Sequence, residues 1–92
     1  MYKLSKQAAV DFTSIFEYTL LSFGEEQAEN YLNDLDETLN LLAHSPKIGS
    51  ECSDLLEKAR RHFFKKHVIY YQIKSTHIYI VRVLHQSMHP TL

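Results

Sequence analysis

Rigid frameworks and phosphate-binding loops are what this sequence most conspicuously lacks. Its single cysteine, Cys52, excludes an internal disulfide framework and fits a reducing cytoplasm. No local motif activates that thiol, so the expectation is an inert side chain in a loop. Two glycines and two prolines in 92 residues leave no glycine-rich turn to cradle a phosphate, and no nucleophile elbow for a serine triad. No cysteine pair or HExxH spacing organises His62, His67, His77, His85 and His89, so neither a metal nor any other cofactor is expected. His85 and His89 would meet at i, i+4 only in a helical tail, which Pro90 opposes. No apolar run reaches the roughly 18 residues of a membrane span, and no basic-plus-apolar leader opens the chain. There is no internal repeat and no low-complexity tract. Residues 1–92 are expected to form one domain with little room for an enclosed catalytic cleft, which favours binding on an open surface over enzymology.

Charge is present but divided. Residues 1–46 hold two basic against eight acidic side chains, a net of −6, and residues 47–92 hold eight against three, a net of +5. Two readings are open: two solvated faces, or a basic sheet surface that attracts an acidic protein or nucleic acid. The hydrophobic content of 45% is that of a folded chain.

The stretch from His67 to His85 organises the rest. It reads HVIYYQIK, then Ser75-Thr76, then HIYIVRVLH, two runs rich in branched and aromatic residues that suit a pleated sheet. Pairing Lys74 with His77 across a two-residue turn sets a register by counting. Ile73 then faces Ile78, Gln72 faces Tyr79, Tyr71 faces Ile80, Tyr70 faces Val81, Ile69 faces Arg82, Val68 faces Val83 and His67 faces Leu84. Both faces of this hairpin are largely apolar, so one needs cover from the same chain, and the other partial cover or a partner.

Upstream, Tyr2-Lys3-Leu4 alternates as a short edge strand would. Ser5 is placed as the N-cap of a helix over Lys6 to Phe23, whose apolar residues recur at three and four from Ala8 to Phe23. On that stripe Asp11 and Glu17 are read as lying outside. Gly24 stops the helix, and Glu25-Glu26 open a second that runs to about Ala43, before Ser45-Pro46. Two amphipathic helices joined at one glycine form an antiparallel hairpin. Residues 49–53 read as loop, Asp54 to Glu57 as one helical turn capped by Ser53, and Arg60 to Phe64 as a strand entering the hairpin. The implied fold class is α+β, in the order β-α-α-β-β-β, with a helical hairpin on one face of a small, mostly antiparallel sheet.

Arg60, Arg61 and Arg82 lie on or beside strands, where a guanidinium needs a carboxylate or phosphate partner. An internal salt bridge to Glu17 or another acid of the helical hairpin would satisfy one of them. An acidic partner segment or RNA phosphates would satisfy them from outside.

These residues carry a resemblance along nearly the whole chain. Tyr2-Lys3-Leu4-Ser5 with Ala8, Ile15 and Tyr18, then Gly24-Glu25-Glu26-Gln27-Ala28 with Tyr31, resembles the first half of ParE-type toxins. Leu42-Ala43-His44-Ser45-Pro46 with Gly49 resembles that family's helix exit. Arg61, His67-Val68-Ile69-Tyr70-Tyr71, Ile80-Val81-Arg82-Val83-Leu84-His85 and Met88 resemble its second half. Met88-His89 replaces the Met-Asp common in that tail. The resemblance implies the RelE/ParE fold and a toxin of a type II toxin–antitoxin pair. Such toxins have no catalytic residues of their own, poison DNA gyrase, and are neutralised by a ParD-type antitoxin through which DNA is contacted only indirectly. A toxin dimer or a heteromeric complex is compatible with it. On that basis Arg60, Arg61 and Arg82 are expected to pair acids of the antitoxin, Tyr70 or Tyr71 to give apolar contact, and the tail with His85, Met88 and His89 to serve gyrase inhibition. The rival is a ribosome-dependent mRNA endoribonuclease of the same fold, for which Arg60, Arg61, Arg82 and His85 would supply basic groups and a general base. A pI near 6.6 and the Arg-Val-Leu-His strand favour the gyrase branch. An inactive antitoxin-binding module is a third reading.

Overall fold

A computed structural model describes residues 1–92. The chain runs β1 (Tyr2–Leu4), α1 (Lys6–Phe23), α2 (Glu25–His44), β2 (Ser50–Glu51), β3 (Ala59–Phe64), β4 (His67–Ile73) and β5 (Ile78–His85). The five strands form one sheet in the order β1-β5-β4-β3-β2. β1 runs parallel to β5, and every other neighbouring pair is antiparallel.

Each helix boundary has a local cause. Ser5 Oγ accepts the amide of Ala8 at 2.9 Å, capping α1, while its hydroxyl donates to the Val81 carbonyl at 2.7 Å. The Ser5 amide also donates to the Ile80 carbonyl. One serine thus ties β1, α1 and β5 together. Gly24 adopts φ +94°, open to glycine at little steric cost, and its amide closes α1 by donating to Leu20. Glu25 and Glu26 follow in the first turn of α2.

The hairpin covers one face of the sheet. Ala8 and Ile15 of α1, with Leu35, Leu39 and Leu42 of α2, pack on Ile69, Tyr71, Ile78, Ile80 and Val83. On the other face Val68, Tyr70 and Leu84 form a smaller cluster with Cys52 and Ala59, covered in part by Leu55, Leu56 and Leu92. The tail therefore does return to the second face.

Three expectations need correction. Residues 54–57 form turns rather than a helical turn; the Cys52 carbonyl accepts the amides of Leu55 and Leu56, which pulls the segment back under the sheet. Within the stretch read as loop, Ser50–Glu51 pairs with Arg61 and Arg60 as a two-residue edge strand, too short to show alternation in sequence. The counted register of the β4–β5 hairpin holds from Ile73↔Ile78 to Tyr71↔Ile80, across a turn in which the Lys74 amide donates to His77. Beyond that a bulge leaves Val81 without a partner. Tyr70 faces Arg82, Ile69 faces Val83, Val68 faces Leu84, and His67 faces His85. Alternation of period two cannot reveal an extra residue when both faces are apolar, because neither face objects to the slip.

Gly49 sits where the α2 exit loop meets the sheet. Its amide donates to Tyr71 Oη at 3.1 Å, and that hydroxyl donates to the Pro46 carbonyl at 2.6 Å. A Cβ at Gly49 would lie 2.4 Å from Tyr71 Oη and 2.7 Å from the backbone oxygen of Arg61. Only glycine allows this approach.

Candidate functional site

Beyond Leu4, β5 has no strand on its outer side, and α1 takes over that edge. Asp11 Oδ2 accepts the Val83 amide at 3.0 Å and Arg82 Nε at 2.8 Å, while Asp11 Oδ1 accepts Arg82 Nη2 at 2.9 Å. A carboxylate with three donors blocks an edge that would otherwise pair with another strand. Its hydrogen bonds raise the Arg82 guanidinium further above its ordinary range, so Arg82 stays charged. Asp11 is buried, against the expectation that it lay off the stripe. The inward residues of α1 are Ala8, Asp11, Ile15 and Thr19, a set rotated from the one read in sequence. The acid that satisfies Arg82 is thus Asp11 rather than Glu17.

Next to this ion pair runs a groove between α1, the ends of β4 and β5, and the β3–β4 turn. Two hollows of about 350 and 370 Å³ share Tyr18, His67 and His85 as a common wall. The first is apolar and reaches Ile15, Arg82 and Met88; the second reaches Phe23, Tyr31, Lys65 and Lys66. The bulge at Val81 is what brings His67 and His85 opposite one another, with ring centroids 5.5 Å apart, edge to face.

Hydrogen bonds hold both rings. Tyr31 Oη lies 2.6 Å from His67 Nδ1. Burial pushes the Tyr31 phenol above its ordinary range. Burial first, and then the nearby His85, holds His67 below its usual value, with Asp11 opposing. The Ser87 amide donates to His85 Nδ1 at 3.1 Å, with the Ser87 hydroxyl 2.7 Å from the same nitrogen, which leaves that ring's proton on Nε2. Lys65 Nζ pairs with Asp34 at 2.7 Å and stands over the Tyr31 ring at 4.9 Å. Lys66 is exposed and makes no ion pair.

The side chains singled out in sequence do not converge. Arg60 and Arg61, adjacent on β3, point to opposite faces. Arg60 donates to the Gly49 and Lys47 carbonyls and approaches Glu51 at 3.5 Å. Arg61 lies on the second face, its Nε buried without a hydrogen-bond partner. It draws the Tyr70 phenol and the Cys52 thiol down against the dominant upward push of burial. Cys52 is thus a buried thiol. Tyr70 and Tyr71, expected to give a partner apolar contact, are both buried, Tyr71 completely, because each face of β4 is already covered. His85 is half-buried in the groove, and Met88 and His89 are exposed in the tail. Sequence reasoning missed Asp11, Tyr18, Phe23, Tyr31, Lys66 and His67 as members of one place. A signal for Asp11 was available, since it stands three after Ala8 and four before Ile15.

Comparison with known proteins agrees with this architecture. A family profile described as "ParE toxin of type II toxin-antitoxin system, parDE" matches residues 2–90. "Toxin ParE1" of Caulobacter vibrioides is 36% identical over 87 residues, covering 95% of this chain and 90% of that protein. "Toxin ParE1" of Mycobacterium tuberculosis is 33% identical over 88 residues, with the same coverage. A solved structure described as "Chromosomal ParDE TA system from P. aeruginosa" superposes with a TM-score of 0.78 over 91% of this chain and 92% of that one, at 20% identity, and shows the shared fold. With the β-α-α-β-β-β-β order and a profile match over nearly its whole length, the chain belongs to the ParE toxin family of type II toxin–antitoxin systems.

Proposed function

We propose that this toxin acts in the cytoplasm by poisoning DNA gyrase, without catalytic chemistry of its own, and that a ParD-type antitoxin silences it by covering the groove beside α1. The observation that carries the reading is the family match over residues 2–90. The dispersal of the three arginines supports binding over catalysis. A ribonuclease needs cations and a base around one phosphate, whereas Arg82 is held by Asp11 and Arg60 and Arg61 part to opposite faces. No helix of the chain is long and apolar enough to cross a membrane.

The antitoxin surface is the groove with Tyr18 and Phe23 of α1 at its rim, extended round the helix by Leu21. Leu21 is 87% exposed, Tyr18 67% and Phe23 60%, large apolar area for one helix to leave in water. Arg61, half-buried on the second face, would pair an acidic residue crossing that face, and Arg60 lies at the β2 edge. Arg82 acts by holding the β5 end in place. The tail with His85, Met88 and His89 contributes to the gyrase contact.

The test is purified toxin titrated into an ATP-containing gyrase supercoiling reaction, with trapped cleavage products resolved on a gel. Linear DNA accumulates if the reading holds, and deleting Met88–Leu92 removes that product. Undisturbed supercoiling together with mRNA cleavage on programmed ribosomes overturns it.

A further inference from the structure

The groove has a polar corner that the apolar strip does not explain. Lys66, His67 and His85 line one hollow there, and none of the three makes an ion pair within the protein. Neighbouring elements present charged or titratable groups that are already engaged or turned elsewhere. From α1, Asp11 is spent on Arg82 of β5 and the Val83 amide, and Tyr18 is a neutral wall. From α2, Asp34 holds Lys65 of the turn, Tyr31 is hydrogen-bonded to His67, and Glu26 lines an adjoining hollow on the far side of Phe23, Tyr31 and Lys65. His89 of the tail is exposed. What remains lining the cavity is one ammonium and two imidazoles, framed by the aromatic rings of Tyr18, Phe23 and Tyr31.

That combination has a definite complement: an anionic group carried on an apolar segment. Three donors suit the two oxygens of a carboxylate, and the rings suit the flanking side chains. The proposed antitoxin supplies such a segment, so the inference rests on the reading of the preceding subsection. We propose that the Lys66–His67–His85 corner anchors a carboxylate side chain of the antitoxin, and that binding there draws a proton onto His67. In the free toxin burial, and then the neighbouring His85 ring, disfavours the charged form of His67. A carboxylate seated against His67 and Lys66 offsets that cost and favours the imidazolium. Association is thereby linked to proton uptake, and the toxin is held more tightly as pH falls.

The experiment is calorimetric titration of the toxin with its paired antitoxin at pH 6, 7 and 8, in buffers of differing ionisation enthalpy at each pH, to count protons directly. Between pH 8 and pH 6 the affinity rises by about three- to tenfold, the ceiling for one linked proton being tenfold per pH unit. His67→Gln, which keeps a donor and cannot titrate, binds with a flat pH profile; His44→Gln, at the exposed end of α2, keeps the slope. Counting protons on the unaltered chain needs no variant to fold. Tight binding with no proton uptake at any pH overturns the anchor and leaves the antitoxin reading standing. No binding at any pH overturns both. Displacement of the antitoxin by a short single-stranded oligonucleotide, losing affinity with salt, assigns the corner to phosphate and overturns the carboxylate.

Discussion

α1 and α2 are of similar length and joined by one glycine, yet α1 leaves far more of its large apolar residues in solvent than α2 does. α2 turns Leu35, Leu39 and Leu42 wholly inward, on a helix otherwise rich in acids. α1 turns inward Ala8, Asp11, Ile15 and Thr19, and leaves Val10, Tyr18, Leu21 and Phe23 in solvent. Small and polar groups on its inner face let α1 approach the β5 edge closely enough for Asp11 to grip the strand. α2 thus carries much of the stability, and the outer side of α1 is left for recognition.

This division can be broken most severely on α2. Leu39→Ala removes a fully buried side chain and should cost about 3 kcal/mol, the usual range for such cavities being ~2–5 kcal/mol, read as a fall in urea midpoint. A loss under about 1 kcal/mol would mean that α2 is not the stabilising helix. Asp11→Ala should cost about 2–3 kcal/mol, because it strands Arg82 and the Val83 amide together. Adding Arg82→Ala should recover part of that loss; if the double variant is as unstable as the sum of the single ones, the pair is not coupled. A milder effect comes from His67. Burial holds its folded value below the unfolded one, so the folded state binds fewer protons, and stability present above roughly pH 6.5 falls as pH drops below it. His67→Gln should flatten that acid limb, and an unchanged limb would assign it to other groups. At the other extreme, Leu21→Ser should leave the urea midpoint within about 0.5 kcal/mol of its original stability while weakening antitoxin binding at least several-fold. Unaltered affinity would remove α1's outer strip from the docking surface.

The same contrast explains what the sequence made legible. Helix ends could be read because Ser5, Gly24 and Ser45-Pro46 act locally, each within a turn of the boundary it sets. The β4–β5 hairpin could be read from its branched and aromatic residues, and its register as far as Tyr71. Past that point the extra Val81 decides the pairing, and it does so through α1 and Ser5, some seventy residues away in the chain. The candidate site depends on that slip, since an unbulged strand would set His67 against Leu84 rather than His85. Lys66, Tyr31 and Tyr18 are ordinary surface or stripe residues in sequence; only the crossing of three elements makes them neighbours. Tyr70 and Tyr71 misled for the converse reason, as aromatic residues on a strand look alike whether covered or not.

The pairing of β1 with β5 also bears on how the chain comes into being. The first strand finds its partner in residues 78–80, and α1 rests on the same late strand. During synthesis the helical hairpin can form early, but the surface that receives Ile15, Leu35 and Leu39 does not exist until the last of the seven elements has left the ribosome. An incomplete chain therefore has the hairpin without the groove, since one wall of the groove is β5 itself. On the proposed function, toxicity and its neutralisation would both wait for the same final residues, and the antitoxin would have nothing to recognise until there is something to restrain.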